Sequence, residues 1–242
     1  MGKKQHHGDP ADPDDDHGGD YGDHVAFDPE HQLVLAVVPG TRTEANARAI
    51  VAKVKQRVDC RPPALMTSED PADATAIAEV FSEPVPAPPR RKPGRPRVVP
   101  ERRLPEAVIY ATVRKHRENN RVIAVESRQV FGSPEGLEDV LATSAASRGV
   151  NISLVERQNA TDRGCNARKA RRMYRSSKDW QVHEAMTDLT LYGYNFCWCV
   201  RTLRIKDQHG RWCERSPALA AGRTDHVWTW REWFTRPAVQ SP

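Results

Sequence analysis

The chain has 242 residues, of which 29% are charged and 38% hydrophobic, and its formal net charge at pH 7 is +5. No apolar run approaches the roughly 18 to 20 residues that a membrane-spanning helix needs, and the N-terminal residues contain no apolar signal core. We therefore expect a cytoplasmic protein of bacterial type with no membrane partner. Acids are concentrated near the N-terminus, whereas bases are concentrated in Arg90–Arg103 and Arg157–Lys178. Such basic stretches favour a polyanionic partner.

The first part of the chain predicts an acidic flexible segment over residues 1–23, followed by a β-hairpin. Its strands are His24–Phe27 and Gln32–Val38, and the second strand is apolar on both faces and should be buried. We expect this strand to end at Pro39-Gly40. A helix should then run over Glu44–Val58, with Thr43 as its N-cap. Its predicted apolar stripe is Ala47, Ile50, Val51, Val54 and Val58.

Two carboxylates, Glu69 and Asp70, follow a short predicted strand over Ala64–Thr67. A second helix is predicted from Ala72 to Phe81. Acids at the end of a buried strand are where α/β folds usually place their chemistry. Asp before Pro is also a common helix start, so Asp70 is predicted to take part in such chemistry, to cap the helix, or to do both.

Residues 83–105 are dominated by Pro and Arg, which predicts a basic linker. Within them, KPGRPR resembles an AT-hook, whose arginines lie in the narrow minor groove of A·T-rich DNA. Arg95 and Arg97 are therefore candidate DNA contacts. An ordinary basic linker explains the same composition equally well.

The second half of the chain predicts a hairpin formed by Ala107–Val113 and Arg121–Phe131. A helix capped by Ser133 should run to about Leu141. A long buried helix is predicted from Asp179 to Val200. Its predicted stripe is Val182, Met186, Leu189, Tyr192, Phe196 and Val200. The Trp-rich segment near the end is predicted to anchor on the domain, with stacking on single-stranded nucleic acid as the alternative.

The basic segment Asn151–Trp180 carries the main functional prediction. If it is helical, Glu156, Asn159 and Arg163 lie on one face, and an acid, an amide and a guanidinium together suit a metal ion held against a phosphate. A solvated basic face with an ordinary first-turn acid is the alternative. Because the segment has so few acids, we favour nucleic-acid contact. The candidate DNA-binding residues are Arg157, Asn159, Arg163, Arg168, Lys169, Arg171, Arg172, Arg175 and Lys178.

The five cysteines are Cys60, Cys165, Cys197, Cys199 and Cys213, and they include no Cys-x-x-Cys pair. We therefore predict reduced, partly buried thiols and no structural zinc.

Two stretches, LVERQNATDRGCNARKARRMYRSSKDWQVHEAMTDL and YGYNFCWCVRTLR, resemble the C-terminal catalytic part of insertion-sequence-one-type DDE transposases. The shared pattern is Glu-Arg-x-Asn, an arginine ladder, an aromatic-Ser-Lys element and a Tyr-Asn-Phe segment. The resemblance implies an α/β, ribonuclease-H-like catalytic domain, interrupted by the basic linker and formed by residues 24–82 and 106–242. It also implies metal-dependent DNA cleavage and strand transfer, with Mg²⁺ or Mn²⁺ bound by carboxylates.

The resemblance assigns the last metal-binding carboxylate to Glu156. The second carboxylate belongs to the Thr67–Asp70 element, where Glu69 or Asp70 could serve, and Asp70 is preferred because a Glu oxygen lies one methylene further out. Asp70 and Glu156 are thus the predicted catalytic and metal-binding residues. The implied partners are double-stranded DNA, at the element ends and the target, and further copies of the chain. The DNA-bound protein would be nucleoid-associated.

The sequence also departs from the family pattern. Gly2-Lys3-Lys4 resembles the tripeptide that follows the family's first strand, so the first catalytic Asp is expected upstream of Met1. We likewise expect the zinc-ribbon and helix-turn-helix segments that many family members carry upstream to be missing. Asp28 is expected at a hairpin tip, at the wrong end of its strand to replace that ligand. We therefore expect an N-terminally truncated transposase, weakly active or inactive, or alternatively a DNA-binding remnant without catalysis.

Overall fold

The computed structural model describes residues 21–58, 64–85, 102–119, 121–169 and 179–236. Several predictions concern other positions and lie outside these ranges: most of the acidic N-terminal segment, Cys60, Arg95 and Arg97 of the AT-hook-like motif, and Arg171, Arg172, Arg175 and Lys178 of the arginine ladder.

The described part of the chain contains both helices and strands. In order they are β1 (Tyr21–Asp28), β2 (Leu33–Thr41), α1 (Glu44–Arg57), β3 (Ala64–Ser68), α2 (Pro71–Phe81), β4 (Glu83–Pro84), β5 (Arg102–Arg103), β6 (Ile109–Glu118), β7 (Arg121–Phe131), α3 (Pro134–Thr143), α4 (Ser153–Cys165), α5 (Trp180–Cys197), β8 (Ile205–Lys206), β9 (Trp212–Cys213), α6 (Pro217–Ala220) and α7 (Trp230–Thr235). A 3₁₀ turn over Ala167–Lys169 follows α4, and another over Arg201–Leu203 follows α5.

The chain divides into two compact units. The hairpin–helix unit contains the chain up to Arg42 together with the chain from Ser153 onward, and the sheet unit is Thr43–Ile152. The described strands form four separate sheets, one of three strands and three of two. The mixed α/β class is therefore confirmed. The described strands do not establish the ribonuclease-H-like fold, which stays a prediction.

The sheet unit is built on three strands in the order β3-β6-β7, with β3 parallel and β7 antiparallel to β6. Tyr110 on β6 is fully buried and packs on Phe131, with ring centroids 5.8 Å apart. Burial raises the pKa of Tyr110 to about 12. The predicted hairpin of β6 and β7 is confirmed, although β6 continues to Glu118. The turn contains Asn119, which has a φ of 47°, a left-handed conformation that Asn tolerates better than most residues.

The predicted helix starts in the sheet unit are also confirmed. The Thr43 hydroxyl accepts a hydrogen bond from the Asn46 N–H at 3.3 Å at the start of α1. The Ser133 hydroxyl does the same for the Gly136 N–H at 3.1 Å at the start of α3. These caps satisfy backbone donors that a helix terminus otherwise leaves unpaired. The predicted stripe of α1 is buried at Ala47, Ile50, Val51 and Val54, while Val58 is only partly buried.

The hairpin–helix unit is built on the antiparallel pair β1–β2, on which α5 packs. Its core comprises Val34, Val37, Leu191 and Tyr194. The Asn195 amide accepts a hydrogen bond from the Val34 N–H at 2.9 Å and donates one to the Val34 carbonyl at 2.8 Å. One buried side chain of α5 therefore satisfies both backbone polar groups of a core strand residue.

Two predictions for this unit were wrong in detail. The strand β2 does not end at Pro39-Gly40 but continues to Thr41, with Pro39 opposite Asp23 of β1. Gly40 has a φ of 154°, which glycine adopts without a Cβ penalty. The predicted stripe of α5 is also displaced, since Val182 is exposed and the helix ends at Cys197. The buried positions are His183, Thr187, Leu191, Gly193, Tyr194 and Asn195.

The C-terminal aromatic residues pack on α5, as the predicted anchor requires. Trp228 is buried, and its ring centroid lies 4.5 Å from that of Phe196. A capping box at Thr229 and Glu232 starts α7, and Trp233 then stacks on Phe196 at 5.5 Å. Within the described ranges, no helix has both the length and the apolar character needed to span a membrane.

Candidate nucleic-acid interface

The helix α4 carries the residues that the sequence assigns to metal and DNA. Gln158 and Asp162, four residues apart, are its buried positions. Glu156 and Arg157 are exposed, and Asn159 and Arg163 are partly exposed. The structure therefore keeps Glu156, Asn159 and Arg163 off the buried side of one helix. This arrangement agrees with the shared face predicted from their spacing.

The arginine-bearing segment is not one continuous helix. The helix α4 ends at Cys165, and the Asn166 side chain then accepts a hydrogen bond from the Arg168 N–H at 3.1 Å. Gly164 lowers helix propensity just before this point, and an Asn side chain that binds nearby backbone competes with the helix. A 3₁₀ turn follows, and it separates two neighbouring bases: Arg168 is exposed, whereas Lys169 is 3% exposed.

The Lys169 ammonium lies inside the hairpin–helix unit between two carboxylates. Its Nζ atom is 2.6 Å from Oδ2 of Asp162 on α4 and 2.8 Å from Oδ2 of Asp23 on β1. Buried charges persist only when they are paired and hydrogen-bonded, and this ammonium makes two such contacts. The contacts remove Lys169 from the predicted DNA-binding set, because its charge is directed into the protein.

Two residues of α5 complete this network. The His183 Nε2 atom lies 3.1 Å from Oδ1 of Asp23, and the Thr190 hydroxyl donates to Oδ1 of Asp162 at 3.1 Å. Burial by itself raises the pKa of Asp23. The hydrogen bond from His183 and the charge of Lys169 outweigh burial, so the pKa of Asp23 lies below its usual value of 3.8. Both oxygens of each carboxylate therefore have a polar partner. Through these contacts the two carboxylates link β1, α4 and α5.

This buried network was not predicted from the sequence. Asp23 was expected in the flexible acidic segment and Lys169 among the surface bases. The available signal was the spacing of Asp162, Asn166 and Lys169, which places them on the same side as the buried Gln158. No local pattern could have supplied Asp23, since 160 residues separate it from His183.

Asp70 occupies the start of α2, as one of its two predicted roles requires. Its carboxylate accepts a hydrogen bond from the Ala72 N–H at 3.0 Å, and Pro71 takes the first helical position. The alternative ligand, Glu69, lies 3.4 Å from the Arg114 guanidinium. Asp70 belongs to the sheet unit and Glu156 to the hairpin–helix unit. The metal site predicted from these two carboxylates therefore stays a prediction.

Asp28 lies at the hairpin tip, as expected. Its carboxylate accepts a hydrogen bond from the Glu30 N–H at 2.9 Å and contacts Nδ1 of His31 at 2.6 Å. These contacts give Asp28 a role in the turn between β1 and β2.

No group of three or more His, Cys, Asp or Glu side chains in the described part of the chain is arranged to hold a metal ion. In the buried network, the Lys169 ammonium lies between the two carboxylates that a cation would otherwise contact. The network does not fit Mg²⁺, because the ammonium already occupies the position from which the ion would bind these carboxylate oxygens. The described thiols, Cys165, Cys197, Cys199 and Cys213, are free.

No family model matches the chain, and neither the curated proteins nor the solved structures include a significantly similar one.

The lowered pKa of Asp23 predicts an acid-sensitive contribution to stability. A carboxyl group whose pKa falls on folding stabilises the fold above its unfolded pKa, and that stabilisation is lost as pH falls through the folded value. Asp23→Asn should therefore lower the free energy of unfolding at pH 6, and that free energy should decrease less between pH 5 and pH 3 than in the wild type. Urea unfolding across this range measures both effects. Glu184→Gln, at an exposed position of α5, is the control, and an identical pH dependence in Asp23→Asn and wild type would contradict the assignment.

Proposed function

We propose that the chain is a DNA transposase of the DDE type, related to insertion-sequence-one elements, that binds duplex DNA through the outward side of α4. The observation that carries the proposal is the distribution of charged side chains at this helix, some of which are buried while others are exposed. Two acids of this unit, Asp162 and Asp23, are bound to Lys169 in the interior. Arg157 and Arg168 are exposed, and Arg163 is partly exposed.

Such a surface suits a phosphate backbone. Guanidinium groups bind phosphate oxygens through paired hydrogen bonds, and each phosphate contact releases condensed counterions from DNA. Arg157, Asn159, Arg163 and Arg168 form the proposed duplex contact. The ladder positions beyond Lys169 and the AT-hook-like arginines are further proposed DNA contacts.

The catalytic part of the proposal is supported by the sequence resemblance and by the position of Glu156. Its carboxylate is exposed in the first turn of α4, beside the arginines proposed to hold DNA. Glu156 and Asp70 would be metal ligands in a ribonuclease-H-like arrangement, with Glu69 as the alternative to Asp70. Mg²⁺ or Mn²⁺ would supply the charge that activates the attacking oxygen and stabilises the leaving oxygen. Assembly of several copies on the element ends belongs to the same proposal.

A DNA-binding remnant without catalysis is the second candidate. It is favoured by the contacts of the second predicted ligand, because Asp70 caps α2 and the alternative, Glu69, lies 3.4 Å from the Arg114 guanidinium. Glu156 then remains as the exposed carboxylate on α4. The two candidates share the duplex contact and differ in the metal-dependent reaction, so two experiments separate them.

The duplex contact predicts a change in salt dependence. Arg157→Gln with Arg168→Gln should lower the slope of log K against log salt by about 1.8, since each phosphate contact contributes about 0.9 on duplex DNA. Fluorescence anisotropy with a labelled duplex measures the slope. The matched control is Arg223→Gln with Arg231→Gln, which removes the same charge from exposed positions elsewhere in this unit. Equal slopes for the two double variants would contradict a contact on α4.

The catalytic proposal predicts Mg²⁺-dependent strand transfer on DNA that carries the repeats flanking the coding sequence. Glu156→Gln should reduce product formation by about a hundredfold or more, because it removes a metal-binding carboxylate. Glu184→Gln should leave activity unchanged. Asp70→Asn is also informative, since Asn caps a helix about as well as Asp and its effect reports on metal binding rather than on α2. Duplex binding without any Mg²⁺-dependent product in the wild type would support the remnant instead.

A further inference from the structure

A small hairpin formed by β8 and β9 carries an exposed indole between basic side chains. The two strands are antiparallel, and Lys206 pairs with Trp212 across them. Trp212 is 58% exposed. The Arg204 guanidinium carbon and the Lys206 Nζ atom each lie 5.2 Å from the centroid of its ring. The hairpin therefore presents one large aromatic ring together with two cations.

The turn of this hairpin has a defined shape. The Asp207 carboxylate accepts hydrogen bonds from the N–H groups of His209 at 2.8 Å and Arg211 at 2.9 Å. Gly210 has a φ of 75°, which the turn requires and glycine supplies without strain. The Asp207 carboxylate thus stabilises the turn, and the turn holds Trp212 in position.

The base of the hairpin is anchored while its end is exposed. The Val200 N–H donates to the Arg215 carbonyl at 3.0 Å, and Ser216 and Ala218 beyond it are completely buried. Ile205 and Trp212, in contrast, are 50% and 58% exposed. A hairpin with an anchored base and a large exposed aromatic residue is typical of a binding surface rather than of a packed core.

The charge of the hairpin indicates what it binds. Residues 201–215 contain five bases and two acids, so the balance is 5 − 2 = +3. The bases are Arg201, Arg204, Lys206, Arg211 and Arg215, and the acids are Asp207 and Glu214. The exposed hairpin is therefore net positive even with the Asp207 charge counted. An anion with a flat apolar surface complements such a site.

We propose that the β8–β9 hairpin binds single-stranded nucleic acid. An unpaired base would stack on Trp212, and the adjacent phosphates would contact Arg204 and Lys206. Stacking on an indole requires an exposed base face, which a continuous duplex does not offer, whereas an unpaired strand offers one at every nucleotide. This site is distinct from the duplex contact proposed for α4, and it does not depend on strand-transfer chemistry.

The test uses the full chain and a fluorescein-labelled oligo(dT) of about 20 nucleotides, long enough to cover one binding site. Trp212→Ala should weaken binding by about tenfold or more, and Trp212→Phe should recover most of the loss, because an aromatic ring still stacks. Trp198→Ala is the matched control, since Trp198 is similarly exposed at 46% and lies outside the hairpin. A duplex of the same length should bind Trp212→Ala and wild type equally.

Three results would overturn the proposal. The first is equal oligo(dT) affinity of Trp212→Ala and Trp198→Ala, and the second is an equal loss for the duplex and the single strand. The third is competition by a poly-glutamate peptide as effective as that by unlabelled oligo(dT), which would identify an acidic protein segment as the partner. The salt slope of the α4 variants on duplex DNA is measured separately. A failure at the hairpin is therefore distinguishable from a failure of the proposed function.

Discussion

The hairpin–helix unit depends on one ammonium group placed between two carboxylates. Lys169 contacts Asp23 of β1 and Asp162 of α4, and through Asp23 it is linked to His183 of α5. Moving three charges out of water is costly, and the cost is offset only if each charge keeps close partners. Here the contacts join segments that are far apart in the sequence.

The same interaction sets which charges face solvent. Because the chain turns after Cys165 to bury Lys169, the neighbouring Arg168 is left outside with Arg157. The arginines remain at the surface beside Glu156, and the surface near α4 stays basic although Lys169 is buried with Asp162. The β8–β9 hairpin adds a second basic surface with different chemistry, an exposed indole instead of a helix face. These are the two surfaces that we propose bind DNA, one in its paired and the other in its unpaired form.

Local signals in the sequence predicted much of the secondary structure. Thr43, Asp70 and Ser133 were identified as helix caps because capping depends on residues within one turn. The β1–β2 and β6–β7 hairpins were identified because their turns lie between two β-prone runs. These features need no knowledge of the tertiary structure.

Long-range polar contacts could not be predicted in the same way. The buried face of α5 was misplaced because hydrophobic periodicity assigns His183 and Asn195 to solvent, whereas each is buried with a specific partner. Lys169 was misassigned for the same reason, since a lysine in a basic run is usually exposed. For the candidate site, the shared face of Glu156, Asn159 and Arg163 followed from spacing alone. The identity of the metal ligands rests on the family resemblance, which no local pattern can replace.

The free energy of unfolding of Lys169→Met, compared with that of Arg168→Met, tests the central claim most directly. Removing the ammonium leaves two buried carboxylates facing each other, so Lys169→Met should cost about 3 to 5 kcal/mol or prevent folding. Arg168→Met changes an exposed neighbour and should alter stability by no more than about 0.5 kcal/mol. Equal and small effects of the two substitutions would contradict the account.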